Sequence, residues 1–143
     1  MSRAVLDASL LIKLGVVEVG SEQALAFVGA HALLAPDFLF VEVANVLSSK
    51  VRRGVIERSR ADLLFDTMRA LPIATYRSDE LLPSARSLAH TLDDTVYDCM
   101  YVALALREGA LFGTGDGKLA DRIARAGLLE DRVVRIGDGP ALR

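Results

Sequence analysis

A chain of 143 residues has the size of one compact domain, residues 1–143, and its 52 % hydrophobic content is enough for a sizeable core. With 25 % charged residues, a mean hydropathy of +0.33 and no apolar run near the length of a bilayer span, the composition excludes a membrane protein and points to a soluble cytoplasmic one. The single cysteine, Cys99, excludes an intrachain disulfide and argues against a thiolate zinc site, while a net charge of −2 lacks the basic excess of a general nucleic-acid binder.

The pattern predicts a strand over Arg3–Leu6 ending at Asp7, then helices over Ala8–Val17 and Glu22–Val28. His31–Ala35 reads as a strand closed by Pro36. Pro36–Arg53 reads as a long helix with Pro36 in its first turn and Gly54 just past its end. Arg60–Ala70 is helical, Pro72–Tyr76 a strand, and Glu80–His90 and Tyr97–Glu108 helices, the second stopped by Gly109. Ala110–Phe112 is a strand leading into the glycine-rich turn Gly113-Thr114-Gly115-Asp116-Gly117. A helix over Lys118–Ala126 and a strand over Arg132–Ile136 complete the chain. This alternation predicts a parallel sheet flanked by helices, whose sites lie beyond the carboxyl ends of the strands.

Four acids punctuate these elements, and each has an ordinary explanation. Asp7 suits a helix N-cap, a role Ser9 shares. Glu42 sits in the apolar stretch Phe38–Leu47, where a carboxylate needs a partner; helical spacing offers Asn45, Ser49 and Arg52 or Arg53. Asp98 completes a capping box with Thr95, although Asp93 and Asp94 already supply charge there. Asp116 fits a turn. Taken together the four suggest one cluster. Carboxylates at roughly 5 Å cost about 3 kcal/mol per pair at an effective dielectric near 20, so such a cluster takes up protons or binds a cation. Oxygen ligands without thiolate favour Mg²⁺ or Mn²⁺.

Val5-Leu6-Asp7-Ala8-Ser9, Pro36–Leu47, Tyr97–Ala105 and Thr114-Gly115-Asp116 resemble, in order, the four acidic motifs of PIN domains, and most closely those of VapC-type toxins of toxin–antitoxin pairs. The resemblance runs from about Val5 to Leu119. It implies a three-layer α/β/α fold with a central parallel sheet and an Mg²⁺- or Mn²⁺-dependent endoribonuclease. It carries metal-binding and catalytic roles onto Asp7, Glu42, Asp98 and Asp116, supporting roles onto Asn45 and Thr114, and implies a homodimer with a cognate antitoxin. The glycine-rich approach to Asp116 departs from the family's usual apolar one, and Asp93 or Asp94 is a further candidate for the site.

In the mechanism so implied, a metal-activated water attacks the scissile phosphorus in line. Asp7 and Asp98 are direct ligands, and Glu42 and Asp116 are ligands or orienters. His31 and His90 lack orienting partners and read as structural or surface residues. Lys13, Lys50, Arg52 and Arg53 are candidates for RNA phosphate contacts, with specificity left to the shape of a structured RNA. Three alternatives remain. A phosphoacceptor receiver domain is opposed by the lone Asp7 and by the absence of an aspartate directly after Pro72–Tyr76. The others are a housekeeping RNA-processing nuclease and a non-cutting PIN-like scaffold.

Overall fold

The computed structural model describes residues 1–16 and 18–137. Among the described residues five short strands alternate with seven α-helices: β1 (Arg3–Leu6), α1 (Ala8–Ile12), α2 (Ser21–Ala30), β2 (Ala32–Pro36), α3 (Leu39–Arg52), α4 (Arg58–Arg69), β3 (Ile73–Tyr76), α5 (Ser78–Leu92), α6 (Val96–Glu108), β4 (Leu111–Thr114), α7 (Gly117–Arg125) and β5 (Val133–Arg135). All strands are parallel, in the order β3-β2-β1-β4-β5, and helices flank the sheet in a three-layer α/β/α arrangement. No helix among the described residues is long and apolar enough to cross a membrane.

Burial follows strand order. Ala4, Val5 and Leu6 of the central β1 are fully buried, whereas the edge strands β3 and β5 are partly exposed. A strand covered on both faces carries a continuous apolar run rather than an alternating one. Helix α6 lies against β1, β2 and β4, and seven of its residues, Cys99 to Ala105, are buried. It is therefore apolar nearly all round in its middle, with charged side chains left to its two ends, Asp98 in the first turn and Arg107 and Glu108 in the last.

Order along the sheet also fixes where a site can form. The chain moves outward from β1 to β2 and β3, then returns to the other side of β1 for β4 and β5. The crevice between the carboxyl ends of β1 and β4 is thus the point where strand order reverses, the usual ligand position in open α/β sheets. Leu6 pairs with Gly113 there, so Asp7 and Thr114 emerge side by side.

Several element boundaries differ from expectation. Pro36 ends β2, opposite Tyr76, and α3 starts only at Leu39. Asp37 prolongs the ladder through its N–H to the Tyr76 carbonyl at 2.8 Å. Its carboxylate then caps α5, accepting from the Ser78 N–H and hydroxyl. Helix α1 stops at Ile12, after which the chain tightens into i+3 turns, with the N–H groups of Lys13, Leu14 and Gly15 each donating at 3.1 Å to the carbonyls of Leu10, Leu11 and Ile12; Val17, the expected helix end, lies outside the described residues. Gly113 and Thr114 belong to β4 rather than to a turn. Glycine is needed at 113 because a β-carbon there would lie 2.5 Å from the Phe27 ring and 2.8 Å from Leu10.

Candidate active site

Asp7 leaves β1 in extended conformation and caps α1, its Oδ1 accepting from the Leu10 N–H at 3.1 Å. The same carboxylate accepts from the Ser9 hydroxyl at 2.6 Å and, through Oδ2, from the Thr114 hydroxyl at 2.5 Å. It is only 6 % exposed. Burial pushes its pKa up to about 6, against the pull of the three hydrogen bonds, and the charge of Asp116 adds to the rise. Ser9 and Thr114 also hold the opposite wall. The Gly115 N–H donates to Ser9 Oγ at 2.8 Å, and the Asp116 N–H donates to Thr114 Oγ1 at 3.0 Å. A β-carbon at 115 would stand 2.6 Å from Lys13 Cε and 3.2 Å from Ser9, so the glycine permits this closure of α1 on the β4–α7 turn.

Asp116 is the N-cap of α7, accepting from the N–H groups of Lys118 at 3.0 Å and Leu119 at 3.2 Å. Asp98 faces it from α6, whose N-cap Thr95 accepts the Asp98 N–H at 3.1 Å. The Asp98 carboxyl is pushed up to about 8, first by burial, then by hydrogen bonding to Asp94 and by the charges of Asp94, Asp116 and Asp7. Of the two extra acids, Asp94 is therefore the one beside Asp98. Its side chain is 8 % exposed and meets Arg122 Nη1 at 3.2 Å. Asp93 instead ends α5 in the left-handed region, and its carbonyl accepts from Arg122 at 2.6 Å.

Glu42 approaches from α3. Its partner is neither Asn45 nor an arginine of its own helix but Tyr101, whose hydroxyl donates to Oε1 at 2.5 Å. Tyr101 is buried one turn after Asp98 on α6, its ring 5.3 Å from that of Phe38. Burial raises the Glu42 pKa and the Tyr101 hydrogen bond opposes the rise. Burial, together with Glu42, Asp7 and Asp98, raises that of Tyr101. Tyr101 and Arg122 were not singled out in the sequence, and Asp94 only as one of two extra acids beside Asp98. For Tyr101 the signal was there: i and i+3 share a helix face, so a phenol three residues after Asp98 points toward the same crevice.

Each carboxylate has thus found its own short-range partner. Among the described residues no three acidic, histidine or cysteine side chains stand together as a ready-made metal nest. The donor set itself fits a hard divalent cation: oxygen only, partly buried, with Asp7 and Asp98 biased toward proton uptake.

The expected phosphate contacts fare differently. Lys13 is largely buried, its side chain 12 % exposed and bound to Glu18 at 3.2 Å and to the Val19 carbonyl at 2.9 Å, so it braces the α1–α2 connection instead of reaching solvent. Lys50, Arg52 and Arg53 lie 8 to 11 residues beyond Glu42, or about 12–16 Å along the helix, away from the crevice. Arg52 hydrogen bonds Ser48 at 2.9 Å. Asn45 is exposed one turn after Glu42.

This α/β crevice, rimmed by acids at the β1–β4 switch point, defines a recognisable class. The PIN domain family model matches residues 4–126, and the chain belongs to that family. Within it, Ribonuclease VapC3 of Pyrobaculum aerophilum is 38 % identical over 125 residues, covering 84 % of this chain and 94 % of the relative. Two solved structures share the fold. VapC20 of Mycobacterium tuberculosis, a sarcin-ricin loop cleaving toxin, has a TM-score of 0.64 at 15 % identity, over 90 % of this chain and 98 % of that one. VapBC2 of Rickettsia felis, bound to a DNA fragment from their promoter, has a TM-score of 0.61 at 8 % identity, over 94 % and 98 %.

Proposed function

We propose that this protein, a single PIN domain over residues 1–143, is a divalent-metal-dependent endoribonuclease acting as the toxin of a toxin–antitoxin pair. The observation that supports it most is the gathering of Asp7, Asp98 and Asp116 at the β1–β4 switch point, near enough that the charges of Asp116 and Asp7 add to the rise that burial and Asp94 impose on Asp98. Kinship to a VapC ribonuclease supplies the reaction class. The likeness to a sarcin-ricin loop cleaving toxin supports a structured RNA as substrate. The VapBC2 assembly supports a cognate antitoxin as partner, and a homodimer is what the family resemblance implies for the toxin.

In this reading Asp7 and Asp98 hold an Mg²⁺ or Mn²⁺ ion, and Glu42 and Asp116 either join them or orient water. When bound, the ion supplies an acidified water and neutralises charge on the phosphate and leaving oxygen. The rest falls to the chain. Ser9 and Thr114 donate to Asp7, which favours its ionised form and fixes its direction. Tyr101 does the same for Glu42. The Arg122–Asp94 pair keeps Asp94 from adding a full free charge beside Asp98. Histidine takes no part: His31 bonds Ser2 at 2.7 Å and packs on Phe27, and His90 is on the exposed side of α5.

RNA cleavage by the purified chain with Mg²⁺, Mn²⁺ or EDTA tests this reading beside Asp7→Asn and Asp98→Asn. Cutting is expected only with metal, and to fall at least about a hundredfold in each variant. Full activity in EDTA would sink the metal role, and a folded variant with full activity would remove its residue from the mechanism. Growth arrest on induction, relieved by Asp98→Asn, tests the toxin role separately.

A further inference from the structure

An acidic centre repels the polyanion it is meant to cut, and a metal ion offsets that repulsion only locally. The phosphates flanking the scissile one need cations of their own. Most cations of the chain are committed or distant. Lys13 is bound to Glu18, Arg3 and Arg107 to Glu108, and Arg77 to Asp79. Arg69 lies over Phe40 and Phe65, and the basic end of α3 is about 12–16 Å from Glu42.

Helix α7 is the exception. Lys118, Arg122 and Arg125 stand at i, i+4 and i+7 and form one stripe, while Leu119, Ala120 and Ile123 form its buried side. The stripe begins at the acids. The Lys118 N–H is bonded to Asp116 at 3.0 Å, and Arg122 touches Asp94, the neighbour of Asp98. It then borders a groove of about 330 Å³ lined by Thr91, Leu92, Asp93, Arg122, Arg125 and Ala126. Lys118 and Arg125 are exposed and have no acidic partner among the described residues. Asp121, the acid flanking the stripe, is paired with Arg135 at 3.2 Å. Lys118 and Arg125 are seven residues apart, about 10 Å, which matches roughly three stacked nucleotides at about 3.4 Å each.

We propose that the Lys118–Arg122–Arg125 face of α7 is the track that holds the RNA backbone on one side of the cut. This deepens the nuclease reading and rests on it for the identity of the polyanion. Lys118 and Arg125 contact phosphates, and Arg122, fixed by Asp94 and the Asp93 carbonyl, lines the floor between them. Such contacts set register and affinity and carry no base information.

The test is the affinity of the full chain for a short fluorescent single-stranded RNA in EDTA, across a salt series. It compares wild type with Lys118→Ala/Arg125→Ala and, as a charge control, with Arg58→Ala on the exposed start of α4. All three positions are exposed, and matching melting temperatures confirm that the variants fold. Two lost phosphate contacts should weaken binding about tenfold or more near 0.1 M salt and lower the slope of log K against log salt by about 1.4. With metal, KM should rise by the same factor and kcat stay within about twofold. Unchanged affinity and slope in the double variant would overturn the proposal. So would an equal loss in Arg58→Ala, no measurable RNA binding by wild type, or intact RNA binding with loss of a protein partner instead. Binding that follows the α7 variants without any cutting would uphold the track and reject the nuclease.

Discussion

Glu42 and Tyr101 illustrate how one hydroxyl sets the behaviour of a carboxylate. Glu42 is half-buried on an apolar helix, a position that favours its protonated form, and the Tyr101 hydrogen bond opposes that preference. Tyr101→Phe keeps the ring against Phe38 and deletes only the donor. Glu42 should then protonate at higher pH than in wild type, because the group that lowered its pKa is gone. If Glu42 must be ionised to act, the acidic limb of the pH–rate profile should move upward. The rate should fall on the order of tenfold near pH 6 and less near pH 8. Stability should drop by about 1–2 kcal/mol from the unpaired carboxylate. A pH–rate profile superimposable on wild type would show that Tyr101 is only a packing residue.

At the scale of elements, the same side chains cap helices and face the crevice. Asp7 starts α1 and Asp116 starts α7, so the cap and site readings of these residues are compatible. Substitution can separate them at 116. Asn is as good an N-cap as Asp, whereas Ala is not. Asp116→Asn should melt within about 1 °C of wild type and Asp116→Ala several degrees lower, at a cap cost of about 1 kcal/mol. If Asp116 belongs to the site, both variants lose cleavage. If Asn retains full cleavage, the residue is a cap alone. The glycines preceding it have packing causes: the Phe27 ring fills the space beside Gly113, and Ser9 and Lys13 fill that beside Gly115. The departure from an apolar approach to this acid thus reflects how tightly α1 and α2 close on β4.

For the whole molecule, the buried acids of the crevice are a source of instability, which the proposed cation would relieve. Folding raises the Asp7 pKa from 3.8 to about 6, so the folded state binds more protons than the unfolded one between those values. Stability must then fall as pH rises through that window, and the loss is complete above pH 6, at roughly 3 kcal/mol as an upper figure. Asp98, pushed up to about 8 beside Asp94, extends the same trend toward pH 8. Glu108 shifts the opposite way, held down by Arg3 and Arg107, so comparison with Asp7→Asn is needed to isolate the effect. In EDTA the variant should match wild type near pH 4 and melt several degrees higher at pH 7, and Mg²⁺ or Mn²⁺ should raise wild type far more than the variant. A difference that shrinks with rising pH would contradict the assignment.

Much of this architecture was legible in one dimension. Alternating apolar runs and helical periods located all twelve elements, because burial on both faces of a parallel sheet imposes continuous apolar strands. The order of Asp7, Glu42, Asp98 and Asp116 along that frame resembled one family closely enough to name it. Boundaries were less legible where the chain departs from its local preference: Pro36 stays in β2, paired with Tyr76, and α1 gives way after Ile12 to i+3 turns. Partner choice was hardly legible, the i+3 spacing of Tyr101 from Asp98 being the one local sign of it. Only the packed chain decides that Glu42 meets Tyr101 across two helices, that Asp94 rather than Asp93 adjoins Asp98, that Lys13 is tied down by Glu18, and that the basic stripe nearest the acids is on α7. The physical reason is range. Periodicity and capping act within a few residues, whereas burial, repulsion and hydrogen bonding between distant segments depend on which strand ends the topology brings together.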